Sequence, residues 1–169
     1  MNNTKGIIVI ISGPSGSGKG TIVKELMKNK RYALSISATT RQPRVGEEEG
    51  VHYFFKSKTE FEKMMEKDDL IEWAEFCENY YGTPKSYVEQ MQLEGKDVIL
   101  EIEVQGALKV KKLNPEAVLI FIVPPSFREL RSRLVGRGTE QEEIVEKRLK
   151  RALEEFDMIE QYDYVVIND

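Results

Sequence analysis

Short runs of apolar, mostly β-branched residues alternate along this sequence with longer segments of helical period. This alternation is typical of parallel strands that helices cover on both faces. It therefore predicts an α/β fold built on a parallel sheet. The predicted strands are residues 7–11, 98–100, 117–123 and 164–167.

The composition excludes several classes of protein. A chain of 169 residues with a net charge of -4 fits one domain and gives no general basic field for binding nucleic acid. Its apolar runs fall far below the ~18 residues of a membrane span, and the first is too short for a secretory signal. Because Cys77 is the only cysteine, no intrachain disulfide can form. We therefore expect a cytoplasmic protein with no membrane or nucleic-acid partner.

Several helix starts are marked by the capping box, in which a hydroxyl and a carboxylate three residues later satisfy each other's backbone donors. The pairs are Ser57 with Glu60, Ser126 with Glu129 and Thr139 with Glu142. Pro84, which follows Thr83, marks a further start at the first helical position. Residues 34–96 break the strand–helix rhythm and residues 128–151 are rich in arginine. Both segments are interpreted as insertions on an α/β core.

A glycine-rich segment follows the first predicted strand and leads into one face of a helix. It consists of Gly13, Pro14, Ser15, Gly16, Ser17, Gly18, Lys19, Gly20 and Thr21. Glycines let backbone N–H groups approach phosphate oxygens at a helix N-terminus, where the helix dipole favours anions, and Lys19 would reach the β- and γ-phosphates. The pattern predicts a nucleotide phosphate site; the alternative is a merely flexible turn. The Ser or Thr that usually follows the lysine is Gly20, so Mg²⁺ would rely on Thr21 or on ordered water.

A second candidate anion site lies further along the chain, where Arg41 and Arg44 flank Pro43. Proline stiffens the spacing between the two arginines. Planar guanidinium groups bind phosphate in a bidentate manner and keep their charge, so the pair could clamp a second phosphate. The alternative is that both are solvated surface arginines, the usual state of arginines in loops.

These motifs occur together with others in an order that resembles guanylate kinases, enzymes that phosphorylate GMP from ATP. The matching segments are residues 13–19, 37–47, 50–54, 80–83, 101–106 and 136–139. The resemblance covers the whole chain. It implies a P-loop kinase with a parallel-sheet core flanked by helices (residues 1–33, 97–124 and 157–169), a GMP-binding insertion (34–96) and a helical lid (125–156). Members normally continue past the final strand into another helix, whereas this sequence ends at Asp169.

The resemblance also implies the residues that bind GMP. The phosphate would be held by Ser37, Arg41, Arg44 and Tyr53 with a contact from the Tyr81 hydroxyl, and the guanosine half by Glu72, Thr83 and Glu103. A carboxylate can accept both the N1–H and the N2–H₂ of guanine, which suits Glu72 to that role. Spacing alone would instead make Glu72 the exposed phase of an alternating strand. Thr83 could likewise be a helix N-cap.

On the ATP side, the resemblance assigns residues 13–21 and Arg137 to the phosphates and places Asn168 near the adenine. Arg137 and Arg148 would close over the transferring phosphoryl group, which makes Lys19, Arg41, Arg137 and Arg148 the predicted catalytic residues. Arg148 lies at the edge of a predicted inward stripe, and a structural ion pair is the alternative. The stripe comprises Ile144, Leu149, Ala152, Leu153 and Phe156.

Two acidic residues near the end of a predicted strand are the remaining candidates. Glu101 could reach magnesium, whereas Glu103 stands where the family usually carries aspartate. The alternative is a solvated carboxylate pair.

The implied reaction is Mg²⁺-dependent transfer of the γ-phosphoryl group of ATP to GMP or dGMP, with ATP and GMP as the small-molecule partners. Two other functions remain open from the sequence. One is a non-catalytic guanylate-kinase-like module for protein interaction, against which the phosphate loop and its arginines argue. The other is a kinase for another nucleoside monophosphate, since Gly20 and Thr21 are similar to the corresponding residues of adenylate kinases.

Overall fold

The computed structural model of the chain describes residues 4–76, 78–136 and 142–169. The strands in these residues are β1 (Ile8–Ser12), β2 (Tyr32–Leu34), β3 (Ala38–Thr39), β4 (Phe54–Phe55), β5 (Leu70–Phe76), β6 (Asn79–Pro84), β7 (Asp97–Glu101), β8 (Val118–Val123) and β9 (Tyr164–Ile167). The helices are α1 (Lys19–Leu26), α2 (Lys58–Glu66), α3 (Lys85–Leu93), α4 (Val104–Leu113), α5 (Phe127–Val135) and α6 (Glu142–Phe156). The chain divides into two compact units.

Unit 2 comprises Ile8–Asn29 and Ile99–Asp169. Its strands lie in the order β7, β1, β8, β9, and β8 pairs in parallel with both β1 and β9. The four strands predicted from the sequence are thus confirmed, each within one residue at either end. Strands β1, β7 and β8 were predictable because they are largely buried and read as continuous apolar runs. Strand β9 is exposed at all four positions, and its β-branched residues were the signal for it.

Helices α5 and α6 pack together in unit 2 around a small apolar cluster. Its buried members are Leu130, Leu134, Val145, Leu149 and Ala152, with Phe156 packed against them. The predicted stripe is therefore correct for Leu149, Ala152 and Phe156. It is wrong for Ile144 and Leu153, which are exposed, because the helix turns Val145 inward in place of Ile144.

Two of the predicted capping pairs lie in the described residues. Ser57 and Glu60 form the full capping box at the start of α2, and the Ser126 side chain accepts from the Glu129 N–H at the start of α5. Thr139 lies outside the described residues. Helix α3 begins at Lys85 with Pro84 as its N-cap, so the prediction that placed Pro84 at the first helical position is wrong by one residue.

Unit 1 comprises Met1–Ile7 and Lys30–Val98 and contains a mixed sheet in the order β4, β3, β6, β5. Strand β3 pairs in parallel with β4, whereas β6 pairs antiparallel with both β3 and β5. One face of this sheet packs on α2, where the ring of Tyr80 stacks on buried Phe61 at 5.4 Å. Since side chains alternate along a strand, Tyr81 and Thr83 share the opposite face of β6.

The structure also bears on the membrane prediction. Within the described ranges, each helix is too short or too polar to cross a bilayer.

Candidate functional site

The glycine-rich segment forms a tight loop between the end of β1 and the start of α1 in unit 2. Gly18 is the N-cap of α1 and has a φ of 87°, in the left-handed region that glycine tolerates best. A Cβ on Gly18 would lie 2.1 Å from Asn168 Nδ2, and one on Gly13 would lie 2.2 Å from the Ile122 carbonyl oxygen. The loop therefore requires glycine at both positions.

Lys19 folds back over this loop. Its ammonium donates to the carbonyl oxygens of Gly13 at 2.5 Å and Pro14 at 3.3 Å. The loop and the first turn of α1 border a cavity of about 600 Å³, which the helix N-terminus makes suitable for an anion. The lining residues are Ser15, Gly16, Gly18, Lys19, Gly20, Thr21, Lys24 and Glu101.

Two oxygen-bearing side chains of this cavity, Thr21 and Glu101, were predicted as magnesium ligands. A Cβ on Gly20 would meet nothing within 4 Å, so space exists where a serine or threonine side chain usually stands. Carboxylate and hydroxyl oxygens are the ligands that Mg²⁺ prefers, and it usually keeps several waters. The donor set thus fits Mg²⁺ bound mainly through phosphate and water. Within the described ranges, no three acidic, histidine or cysteine side chains gather to form a metal site of their own.

Lys24 also lines the cavity, although the sequence analysis did not single it out. The signal that could have found it is its position one helical turn after Gly20, which puts it on the same face of α1.

Two predicted ATP-side residues approach the loop. Arg148 on α6 donates to Ser15 Oγ at 3.4 Å. The Asn168 amide donates to the Ser17 carbonyl oxygen at 2.8 Å, and Arg133 donates to the Asn168 carbonyl oxygen at 3.1 Å. Unit 2 thus brings Arg148 and Asn168 to the phosphate loop. Arg137 lies outside the described residues.

Glu103, predicted to contact the guanosine half, is the N-cap of α4 in unit 2. Its carboxylate accepts from Arg151 at 3.0 Å, and Arg151 also lies 3.3 Å from Glu155 Oε1. Burial raises the pKa of Glu155, and the charge of Glu103 adds to the effect. Arg151 and Glu155 were not predicted as site residues; their spacing of one turn on α6 was the available signal.

Unit 1 gathers several of the residues predicted to bind the GMP phosphate. The Arg41 guanidinium lies over the Tyr53 ring at 5.4 Å, and that ring meets Tyr81 edge-on at 6.2 Å. The Ser37 carbonyl oxygen accepts from the Phe54 N–H, which joins the backbone of Ser37 to β4. Arg44 belongs to the same loop as Arg41 and is exposed.

Glu47 binds this arginine loop and was not assigned a role from the sequence. Arg41 donates to Glu47 Oε1 at 2.8 Å and to the Gln42 carbonyl oxygen at 2.7 Å. The bond from Arg41 and a second from the Arg44 N–H lower the pKa of Glu47 to about 2. The same Glu47 contact raises the pKa of Arg41. Arg41 is thus an ordered, charged group and not the solvated arginine of the alternative interpretation.

The predicted guanine pair is also assembled in unit 1. Glu72 does lie on a strand, β5, as its spacing suggested, but its Oε1 accepts a hydrogen bond of 2.8 Å from the Thr83 hydroxyl. Thr83 is fully buried and belongs to β6. Because Pro84 caps α3, the N-cap alternative for Thr83 does not hold. Tyr81 shares its strand face with Thr83, so candidate phosphate and guanine contacts lie along one face of β6.

Comparisons with known proteins agree with this geometry. The model of the guanylate kinase family matches residues 5–169. A relative named guanylate kinase from a strain of Bacillus cereus is 58% identical over 171 residues, which cover 100% of this chain and 83% of the relative. Another, from Halalkalibacterium halodurans, is 57% identical over 170 residues, again covering 100% of this chain and 83% of the relative.

A solved structure gives the same result at the level of the backbone. The crystal structure of guanylate kinase from Anaplasma phagocytophilum is similar to this chain with a TM-score of 0.74 and 35% sequence identity. The similarity covers 98% of this chain and 78% of that chain.

Proposed function

Because this chain belongs to the guanylate kinase family, we propose that it transfers the γ-phosphoryl group of ATP to GMP, giving ADP and GDP. The observation that carries the proposal is the bond between buried Thr83 and Glu72, which holds an acceptor-only carboxylate on the strand pair that also carries Tyr81. A fixed carboxylate of this kind suits the adjacent N–H donors of guanine, and adenine lacks the N1–H donor.

On the GMP side, unit 1 supplies both a base contact and a phosphate contact. Glu72 would accept from the guanine N1–H and N2–H₂ groups, with Thr83 next to it. Arg41 and Arg44 would bind the phosphate, assisted by the Tyr53 and Tyr81 hydroxyls and by Ser37. The Arg41 guanidinium is held in place by Glu47 and by the Tyr53 ring, which supports this assignment. Glu103 remains a predicted contact to the guanosine half.

On the ATP side, the N–H groups of the phosphate loop and the Lys19 ammonium would bind the β- and γ-phosphates. Lys19 now bonds to two loop carbonyls, and phosphate oxygens would compete for its protons. Arg148, which already reaches the loop at Ser15, would contribute charge to the transferring group together with Arg137. Asn168 would lie near the adenine, as in the family, and its amide also bonds to the phosphate loop at Ser17.

Mg²⁺ would be held mainly by phosphate oxygens and water, with Thr21 and Glu101, two residues that border the cavity, as the candidate protein ligands. When bound, the ion neutralises phosphate charge during transfer. The protein then supplies alignment and further positive charge, which account for nearly all of the catalysis of phosphoryl transfer. No general base is needed, because the phosphate of GMP has a second pKa near 6 and is largely dianionic at neutral pH.

The test compares kcat/KM for GMP, dGMP, AMP, CMP and UMP, measured as ADP release from MgATP, in the wild type and in Glu72→Gln. We expect the wild type to prefer GMP to AMP by about 10⁴-fold, as sites built on hydrogen bonds do. Glu72→Gln turns one acceptor into a donor that faces guanine, so activity with GMP should fall by about 10²-fold or more.

Glu75→Gln is the matched control, because Glu75 lies on the same strand and is exposed. It should leave the GMP preference intact. A wild type that uses AMP as well as GMP would favour a kinase for another monophosphate. A wild type that releases no ADP with any acceptor would favour the non-catalytic module.

A further inference from the structure

A carboxylate links the two arginines predicted to clamp the GMP phosphate. Glu47 Oε1 accepts from Arg41 Nη2 at 2.8 Å, and Glu47 Oε2 accepts from the Arg44 backbone N–H at 2.7 Å. The side chains of Arg41 and Glu47 are only 15% and 18% exposed. Both carboxylate oxygens therefore hold parts of the arginine loop that would otherwise move independently.

The backbone of the loop is closed around the same residue. The Glu47 N–H donates to the Arg44 carbonyl oxygen at 3.0 Å, and Gly46 between them has a φ of 86°. Glu47 thus binds Arg44 through its N–H as well as its carboxylate. The two glutamates that follow make other contacts. The Glu48 N–H donates to His52 Nδ1, and the Glu49 carboxylate accepts from the Phe55 N–H.

Arg41 is held on more than one side. Glu47 and the Gln42 carbonyl oxygen take two of its N–H groups, and the Tyr53 ring lies against its face. A guanidinium carries more N–H groups than these two bonds use, so donors remain for a phosphate. Fixing the group in advance reduces the entropy lost when a ligand binds.

We propose that Glu47 is a positioning residue for GMP binding: it orients the Arg41 guanidinium and closes the arginine loop, without contacting the nucleotide itself. This inference rests on the proposed function. It assigns a role in substrate affinity to a residue that lies outside the predicted set of nucleotide contacts.

Simple electrostatics predicts the opposite effect of Glu47→Gln on GMP affinity. A carboxylate beside an anion site repels a phosphate dianion, so removing its charge should tighten GMP binding. In this loop, however, both carboxylate oxygens are already bonded to Arg41 and to the Arg44 N–H. Glutamine would place an NH₂ group against one of these donors and release it. We therefore expect that Glu47→Gln weakens GMP binding, because the loss of Arg41 orientation outweighs the loss of repulsion between the carboxylate and the phosphate.

The experiment measures the Kd of GMP and of inorganic phosphate by calorimetry, together with steady-state kinetics, for the wild type, Glu47→Gln and the control Glu48→Gln. For Glu47→Gln we expect the Kd and KM for GMP to rise about tenfold, with the KM for ATP unchanged and kcat within about twofold. Glu48→Gln should match the wild type. An unchanged Tm would separate this effect from general unfolding, and Glu47→Asp, which is one methylene shorter, provides a second variant if Glu47→Gln does not fold.

A double-mutant cycle shows whether Glu47 acts through Arg41. In an Arg41→Lys background, which lacks the planar fork, the effect of Glu47→Gln on GMP affinity should shrink from about tenfold to about threefold or less, because Glu47 then acts only through its bond from the Arg44 N–H. Equal or tighter GMP binding by Glu47→Gln, or a full tenfold effect in the Arg41→Lys background, would overturn the inference. A wild type that binds phosphate but not GMP would instead count against the proposed function, and its phosphate Kd would still test Glu47.

Discussion

The hydroxyl of Thr83 donates a hydrogen bond of 2.8 Å to Glu72 Oε1, and Thr83 is fully buried. This bond fixes the orientation of the carboxylate that we assign to guanine. We predict that Thr83→Val, which keeps the shape but removes the hydroxyl, raises the KM for GMP about tenfold or more, since hydrogen bonds to charged groups contribute ~1.5–3 kcal/mol.

Thr83→Ser is the control for that variant, because it keeps the hydroxyl; its KM for GMP should stay within about threefold of the wild type. The KM for ATP should not change in either variant. If Thr83→Val and Thr83→Ser bind GMP equally well, the hydroxyl does not orient Glu72.

Lys19 is the residue on which transfer should depend most. Lys19→Ala should reduce kcat by about a hundredfold or more, since losing a charged ligand of the transition state typically costs ~3 kcal/mol. Lys24→Ala removes a second cation that lines the same cavity, but from the exposed face of α1, and should cost less than about tenfold. A similar loss of kcat in both variants would mean that transfer depends on the total positive charge at the cavity and not on the position of Lys19.

Two buried serines of unit 2 differ in their bonding and should differ in stability effects. Ser12 Oγ donates to the Ile102 carbonyl oxygen at 2.8 Å, whereas Ser17 Oγ has no hydrogen-bond partner among the described residues. We expect Ser12→Ala to lower the free energy of unfolding by about 1–2 kcal/mol and Ser17→Ala to leave it equal or slightly higher. Urea unfolding of both variants checks this, and a larger loss for Ser17→Ala would contradict the assigned contacts.

Glu155 should make stability depend on pH. Burial, together with the charge of Glu103, raises its pKa above the ordinary value of 4.5, so the folded protein holds this proton more tightly than the unfolded chain does. The resulting stabilisation is complete below that value and is lost as the pH rises through the folded-state pKa. Glu155→Gln, which mimics the protonated form, should therefore gain stability over the wild type as the pH rises.

Urea unfolding at a series of pH values from about 4 to 8 measures this difference. Glu154→Gln is the control, because Glu154 is exposed on the same helix, and its difference from the wild type should stay flat. If the difference in unfolding free energy between Glu155→Gln and the wild type also does not change with pH, the pKa of the Glu155 carboxyl is not raised in the folded protein.

The parts of the fold that the sequence predicts best are those whose structure follows from the residues of one segment alone. Strands β1 and β8 are β-branched runs buried on both faces, so composition alone locates them. Strands β3 and β4 have only two residues each and exist because they pair with a neighbour, which no local pattern records. On α6, Ile144 and Val145 are both apolar, and only packing against α5 decides that Val145 is buried.

The same distinction holds for the candidate site. The phosphate loop is recognisable because its glycines, lysine and flanking elements are adjacent in sequence. Three successive glutamates, Glu47, Glu48 and Glu49, follow the arginines, and the residue type is the same at each. Only the turn that closes at Gly46 determines that Glu47 is the one that binds Arg41. The resemblance named both Glu72 and Thr83, but the hydrogen bond between them could not be predicted from either segment, because Thr83 reaches Glu72 only through the pairing of β5 with β6.

The most direct test of the central claim is to follow a radiolabelled γ-phosphoryl group from MgATP in the presence of GMP and to separate the products. We predict that the label appears in GDP, in a one-to-one ratio with the ADP formed, and that AMP in place of GMP takes up label at least about 10³-fold more slowly. Label released as inorganic phosphate, or transferred to AMP as readily as to GMP, would contradict the assignment of this chain's activity.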